Sequence, residues 1–368
     1  MDWLSDIALQ RLRAAAGAPD LSATKYRLLQ KFSAGGMGTI YLAEDARLLR
    51  KVALKVMHLA DPAGEQTARM MREARVIAQL EHPGIVPVHD VGELPDGRVF
   101  YVMKFVQGQR LDQYATDQRA LPERLRVFQK ICEAVAFAHA NGVIHRDLKP
   151  ENVMVGAFGE VLVMDWGLAK IMPADVLPDK SRIEDRGSNV ESASIANQRN
   201  QHQTTGIEHR ASSIQHQTQH GTIMGTPAYM APEQRRGEIG EIDPRTDVYA
   251  LGAILKFLLP GEAGTHIVDI TRNGKPANHS SSPFPSKAPK YLTAICAKAM
   301  AVTKTQRYAG ALELANDVER FLNGLAVTSY RENILERAWR LFKQYRFMVL
   351  LVLAYLLVRF ALFFLFRP

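Results

Sequence analysis

The octet His145-Arg146-Asp147-Leu148-Lys149-Pro150-Glu151-Asn152 constrains this chain more than any other stretch. It brings a carboxylate (Asp147), an ammonium (Lys149) and a carboxamide (Asn152) close together in sequence. A carboxylate can orient a hydroxyl and take its proton. An amide oxygen can ligate a hard cation, and a fixed positive charge can neutralise a migrating anion. Downstream, Val161-Leu162-Val163-Met164 reads as a buried strand ending at Asp165-Trp166-Gly167. Any one of these groups could be an ordinary loop polar or a turn residue, so the argument rests on how many agree.

Upstream, Ser33-Ala34-Gly35-Gly36-Met37-Gly38-Thr39-Ile40 lies between two strand-like runs. Glycines there let backbone amides approach a polyphosphate closely, although glycine-rich hairpins are common. The next strand, Val52-Ala53-Leu54-Lys55, sets a lysine among apolar neighbours. An inward ammonium is costly unless it is paired. Glu73 supplies the partner, on a helix expected from about Glu65 to Leu80. Farther on come Gly225-Thr226-Pro227-Ala228-Tyr229-Met230-Ala231-Pro232-Glu233, then Asp247 at the head of a helix, and Arg307.

In this order and at these spacings the segments resemble the protein-kinase signature set. The chain looks like a bacterial member of the eukaryotic-like (Hanks-type) serine/threonine kinases from about Tyr26 to Gly324. The resemblance implies an α+β, bilobal fold: a small β-rich N-lobe, a larger α-helical C-lobe and ATP between them. It implies Asp147 as the catalytic carboxylate and Lys149 as the cation typical of the serine/threonine kind. Lys55, clamped by Glu73, would meet the nucleotide phosphates. Asn152 and Asp165 would hold Mg2+, with Mn2+ as an alternative. Ser33, Ala34, Gly35, Gly36 and Gly38 would cover the phosphates. Met103 would be the gatekeeper, the backbone of Lys104 and Val106 would bind the adenine edge, and Ile40, Ala53 and Met154 would sandwich its faces. Thr226 would help to seat Asp147 and the substrate. Asp247 would brace the catalytic loop, and Arg307 would pair with Glu233. Arg146 would meet a phosphate on the activation segment, with Thr218 and Thr222 the candidates for autophosphorylation.

The chain departs from the pattern in places. Ser33 stands for the first loop glycine, Trp166 for the phenylalanine of the Asp-Phe-Gly triplet, and Lys104 for a frequent acidic linker residue. The run Leu259 to Ile267 is short where substrates usually dock. All five of Lys55, Glu73, Asp147, Asn152 and Asp165 are present, which favours an active kinase over an ATP-binding scaffold. Lys149 and the Gly225–Glu233 segment favour protein acceptors, itself among them, over small molecules.

Beyond the kinase-like region, residues 1–23 read as an N-terminal helical extension, with Trp3, Leu4 and Ile7 on one face. Asp2 and Asp6 stand where a secretory leader would be basic. The domain is expected over 24–324, with an insert at about 173–220 rich in Gln, His, Ser and Thr that cannot build a core. A basic segment, 325–346, carries Arg331, Arg337, Arg340, Lys343 and Arg346. The almost wholly apolar stretch 347–366, broken by Arg359, is then long enough as a helix to span about 30 Å of hydrocarbon. The basic flank predicts a single pass through the inner (plasma) membrane with the kinase domain cytoplasmic, and the end at Pro368 is expected to mean either a tail anchor without a sensor or a truncated chain. The two cysteines, Cys132 and Cys296, fit buried thiols in a reducing compartment. The net charge of +8, without an arginine-rich arm or zinc-finger spacing, points to lipid or phosphate rather than nucleic acid. A homodimer is left open.

Overall fold

The computed structural model describes residues 18–34, 38–58, 64–116, 119–172, 227–260 and 288–365. The amphipathic helix expected at the N-terminus and the insert expected at about 173–220 lie outside them.

Strands β1 (Tyr26–Ala34), β2 (Gly38–Asp45), β3 (Arg50–Met57), β4 (Val88–Glu93) and β5 (Val99–Lys104) form an antiparallel sheet in the order β1-β2-β3-β5-β4. The two-residue period of a strand divides β3 between the faces of this sheet. Val52, Leu54 and Val56 pack with Tyr26, Tyr41, Phe100 and Val102. Ala53 and Met57 pack on the other face with Tyr101 and Met103, and Lys55 shares that face. Helix α1 (Glu65–Gln79) buries Met70, Glu73, Ala74 and Ile77, one stripe at helical spacing. Gly38 marks a close approach of β2 to β3: a Cβ there would lie 2.4 Å from the Val56 carbonyl oxygen.

Beyond the linker the chain is mainly helical: α2 (Leu111–Thr116), α3 (Leu121–Ala140), α4 (Pro232–Arg235), α5 (Pro244–Leu258), α6 (Lys290–Ala299) and α7 (Ala311–Leu322). Short strands β6 (Gly108–Arg110), β8 (Val153–Gly156) and β9 (Val161–Val163) form one small sheet, and β7 (Val143–Ile144) pairs with β10 (Lys170–Ile171). Helix α5 is buried along most of its length. Its start is set by Asp243, whose carboxylate accepts from the Arg245 amide at 2.9 Å, and by Pro244 in the first turn. One apolar cluster runs from Ala53 and Met103 in the small lobe to Leu314 and Val318 in the large one.

Past α7 the chain stays on the large lobe. Val327 is buried, and the Asp317 carboxylate receives the Thr328 amide at 2.6 Å and the Ser329 amide at 3.1 Å. Tyr330 meets Tyr291 edge-on at 5.1 Å, and Lys290 pairs with Glu336. The basic segment read from 325 thus begins packed on the large lobe. Helix α8 (Ile334–Leu365) follows, with non-helical backbone at Tyr345. Side chains are described without a break only over 350–360 in its apolar half. Among the described residues no helix is long and apolar enough to cross a membrane.

Candidate active site

The sheet and α1 converge on Lys55. Its amine donates to Glu73 Oε1 at 2.8 Å, to Glu73 Oε2 at 3.0 Å and to Asp165 Oδ1 at 3.3 Å. Burial pulls the ammonium's pKa down, but the charges of Glu73 and then Asp165 outweigh it, and the net shift is upward. Burial pushes Asp165 up, yet Lys55 foremost and then His145 hold it below the ordinary carboxylate value. The two partners therefore stay ionised together near neutral pH. Behind them Tyr101 donates its hydroxyl to Glu73 Oε1 at 2.7 Å.

The octet is fixed from below by Asp247 of α5. Its carboxylate accepts from the backbone amides of His145 at 2.8 Å and Arg146 at 2.9 Å, and His139 Nε2 lies 2.8 Å away. Burial raises the Asp247 pKa, but the bond to His139 leads a set of contacts that lower it overall. Arg146 sits at φ 69° and Asp165 at φ 57°, a region that costs non-glycine residues free energy. Both strained positions carry functional groups, and both are held by neighbours. Gln234 donates to the Arg146 carbonyl at 2.8 Å. The Met164 amide donates to the Asn152 carbonyl at 2.8 Å, and His145 Nε2 lies 3.0 Å from the Met164 carbonyl, so the octet and the Asp165 triplet move as one piece.

Within the octet, Lys149 Nζ lies 3.0 Å from Asp147 Oδ2. The Asn152 amide nitrogen donates to the Asp147 carbonyl at 2.9 Å and to Asp147 Oδ2 at 3.3 Å. The carboxamide oxygen is then the ligating end of Asn152. With the carboxylate of Asp165, whose side chain is half exposed, it forms a hard, two-oxygen donor set. That set fits magnesium, which takes few protein ligands and completes its shell with phosphate and water.

Of the expected adenine contacts, Ile40, Ala53 and Met103 belong to one cluster, and Val106 is buried. Met154 is half-buried on β8, opposite Leu162 and Arg110. The Lys104 side chain is exposed, and its amide donates to the Pro87 carbonyl at 3.1 Å. Ser33 and Ala34 are exposed on β1, opposite Ile40 and Thr39. Gly35, Gly36, Thr218, Thr222 and Thr226 lie outside the described residues.

Glu233 and Arg307 form a doubly bonded pair at 2.7 and 2.8 Å, as the resemblance implies. The family model described as the protein kinase domain matches residues 26–184. By that match residues 26–184 belong to the protein kinase domain family. Among curated relatives it is 33% identical over 324 residues to the serine/threonine-protein kinase PknD of Protochlamydia amoebophila. It is 32% identical over 325 residues to that of Chlamydia felis. These alignments take in 81% and 82% of this chain but only 30% and 31% of the relatives, so it spans about a third of their length. Two crystal structures of the Mycobacterium tuberculosis PknI kinase domain share the fold. One has a TM-score of 0.53 at 24% identity over 81% of this chain and 96% of that one. The other has a TM-score of 0.52 at 25% identity over 82% and 97%.

The kinase fold thus bears out the two-lobed expectation. The substituted Trp166 is 1% exposed and stacks obliquely on His145 at 4.5 Å, so the larger aromatic is absorbed within the core. The sequence reading missed Tyr101, His139 and Gln234. Tyr101 alone left a trace there, as a polar-tipped residue in the apolar run Val99–Met103.

Proposed function

We propose that this chain is a membrane-anchored serine/threonine protein kinase that passes the γ-phosphoryl of ATP to protein hydroxyls and is activated by autophosphorylation of its activation segment. The observation that carries the reading is the Lys55 amine held between Glu73 and Asp165, in one bonded piece with Asp147 and Asn152. Magnesium-bound ATP would supply the phosphoryl group and an internal counter-charge. Lys55 would hold the phosphates, Asp147 would orient the acceptor hydroxyl and receive its proton, and Lys149 would face the transferred group. Positioning and charge neutralisation would account for most of the acceleration. The test is incubation with labelled ATP and magnesium, followed by hydrolysis of the labelled protein. Label on serine and threonine is expected, and its absence would sink the reading.

Arg146 favours activation by a phosphate. It is largely enclosed, and its Nε is buried without a partner among the described residues. A phosphate arriving from the segment around Thr218 and Thr222 would supply charge-assisted hydrogen bonds. A chain with both threonines changed to alanine should lose activity by about 10-fold or more, the scale of one such bond. Full activity in that variant would remove the idea.

Anchoring rests on α8, where Phe347, Leu351 and Leu357 are 69, 71 and 69% exposed. Leaving such side chains in water forfeits roughly 1.5–3 kcal/mol apiece. The full chain should sediment with membranes and resist carbonate extraction, whereas a chain ending at Arg346 should stay in the supernatant. Equal behaviour of the two would refute the anchor. The kinase domain would then face the cytoplasm, where ATP is available.

A further inference from the structure

Tyr101 lies behind the cleft on β5, 1% exposed. It is the register partner of Lys55 on β3, so the two side chains stand on the same face of the sheet, toward α1. Its hydroxyl reaches Glu73 Oε1 at 2.7 Å, the oxygen that Lys55 meets at 2.8 Å. The Lys55 amine also lies 5.5 Å from the centroid of the Tyr101 ring. Three groups therefore form a closed set in which Glu73 is held twice, once by a cation and once by a phenol.

The two holds differ in kind. Lys55 is shared with Asp165 and, on the kinase reading, with the nucleotide, so its grip on Glu73 varies through a turnover. The bond from Tyr101 comes from the rigid sheet and does not depend on what occupies the cleft. Burial, and then the charge of Glu73, push the phenol's pKa well above its ordinary value, so it remains a donor. Elsewhere the buried face of α1 packs through Met70, Ala74 and Ile77, and Thr67 makes one weak contact to the sheet, its hydroxyl 3.7 Å from Met57 Sδ. We propose that Tyr101 is a positioning residue that ties Glu73, and with it α1, to the sheet in the arrangement that lets Lys55 serve the nucleotide phosphates.

This inference rests on the kinase reading but has a readout of its own. Tyr101→Phe deletes the hydroxyl and keeps the ring. It should lower kcat/KM for ATP by about 10-fold, the scale of one hydrogen bond to a charged group. The KM for the protein acceptor should not change. Amide hydrogen exchange over residues 65–79 should accelerate several-fold in the nucleotide-free variant, which needs no activity to be measured. In a Glu73→Ala background, which leaves the hydroxyl no acceptor at that position, the same substitution should change exchange and residual activity by less than about 2-fold, because contacting groups are non-additive. Equal losses in both backgrounds, or unaltered exchange and kinetics with only a lowered Tm, would overturn the proposal. Should Tyr101→Phe fail to fold, 3-fluorotyrosine at the same position keeps the hydroxyl. Its fluorine resonance should then move when Glu73 becomes Gln, and an unmoved resonance counts against the bond. A wild-type chain that transfers no phosphate would refute the kinase reading instead, with the exchange rates still deciding on Tyr101.

Discussion

Asp147→Asn should lower kcat by about 10³-fold while leaving the KM for ATP within a factor of about 3. The size follows from the usual contribution of a positioned general base, roughly 10²- to 10⁴-fold. The separation of kcat from KM follows from the geometry. Asp147 is bonded to Lys149 and Asn152, whereas the expected phosphate contact, Lys55, is held by Glu73 and Asp165. Asparagine keeps the size of the side chain and an oxygen for the Asn152 amide, so the loop should keep its shape. What is lost is the charge that attracts Lys149 and the site that takes the acceptor's proton. Steady-state kinetics with a peptide acceptor, together with a thermal melt within a few degrees of wild type, would check both halves. A variant that kept a tenth of the wild-type kcat would show that Asp147 does not carry the proton.

The chemistry of this site was legible because its parts are local in sequence. Asp147, Lys149 and Asn152 fall within one turn-like stretch, and Lys55 stands out as a charge inside an apolar strand whose two-residue period fixes its direction. Glu73 could be read because it interrupts the buried stripe of a helix. The supports were harder to see because they act across the chain. His139 meets Asp247 over a separation of 108 residues, and Gln234 meets Arg146 over 88. No periodicity reports such pairs. Tyr101 was masked by its neighbours: among Val99, Phe100, Val102 and Met103 a tyrosine reads as another core aromatic. The packing of the stretch after Gly324 was not legible either. Its arginines drew the reading to charge before the apolar stretch, and the contacts of Val327, Thr328 and Tyr330 with the large lobe at α6 and α7 again join residues that no periodicity pairs.

The largest effect on stability should come from Arg307→Met. Arg307 and Glu233 are 0 and 2% exposed at the side chain, and the guanidinium meets the carboxylate with two bonds at 2.7 and 2.8 Å. Arg307 also donates to the carbonyls of Arg245 at 3.0 Å, Ala301 at 2.8 Å and Val302 at 3.3 Å, so it joins α4, α5 and the segment after α6. Removing one partner of a buried pair leaves the other charged and unsolvated, at a cost of roughly 3–5 kcal/mol. For a domain of this size that is a fall in Tm of about 6–15 °C. The dependence on pH identifies the cause. Burial raises the Glu233 pKa, but in the wild type the Arg307 bond leads a set of contacts, the Thr246 hydroxyl among them, that together outweigh burial, and the carboxyl lies below its ordinary value. A depressed carboxyl contributes stability above its unfolded value, about 4.3, and loses that contribution as the pH falls through the folded value. Without Arg307, burial meets only the Thr246 hydroxyl and a backbone amide at Glu233, and its pKa rises. The variant's deficit should therefore be widest near neutral pH and should narrow as the carboxyl is protonated. Glu233→Gln added to Arg307→Met should recover part of the loss at neutral pH, since the stranded charge is gone while the three carbonyls still lack their donor. Urea unfolding of the wild type, the single and the double variants at two pH values would measure all of this. A deficit independent of pH, with no recovery in the double variant, would mean that lost packing rather than stranded charge is what destabilises the domain.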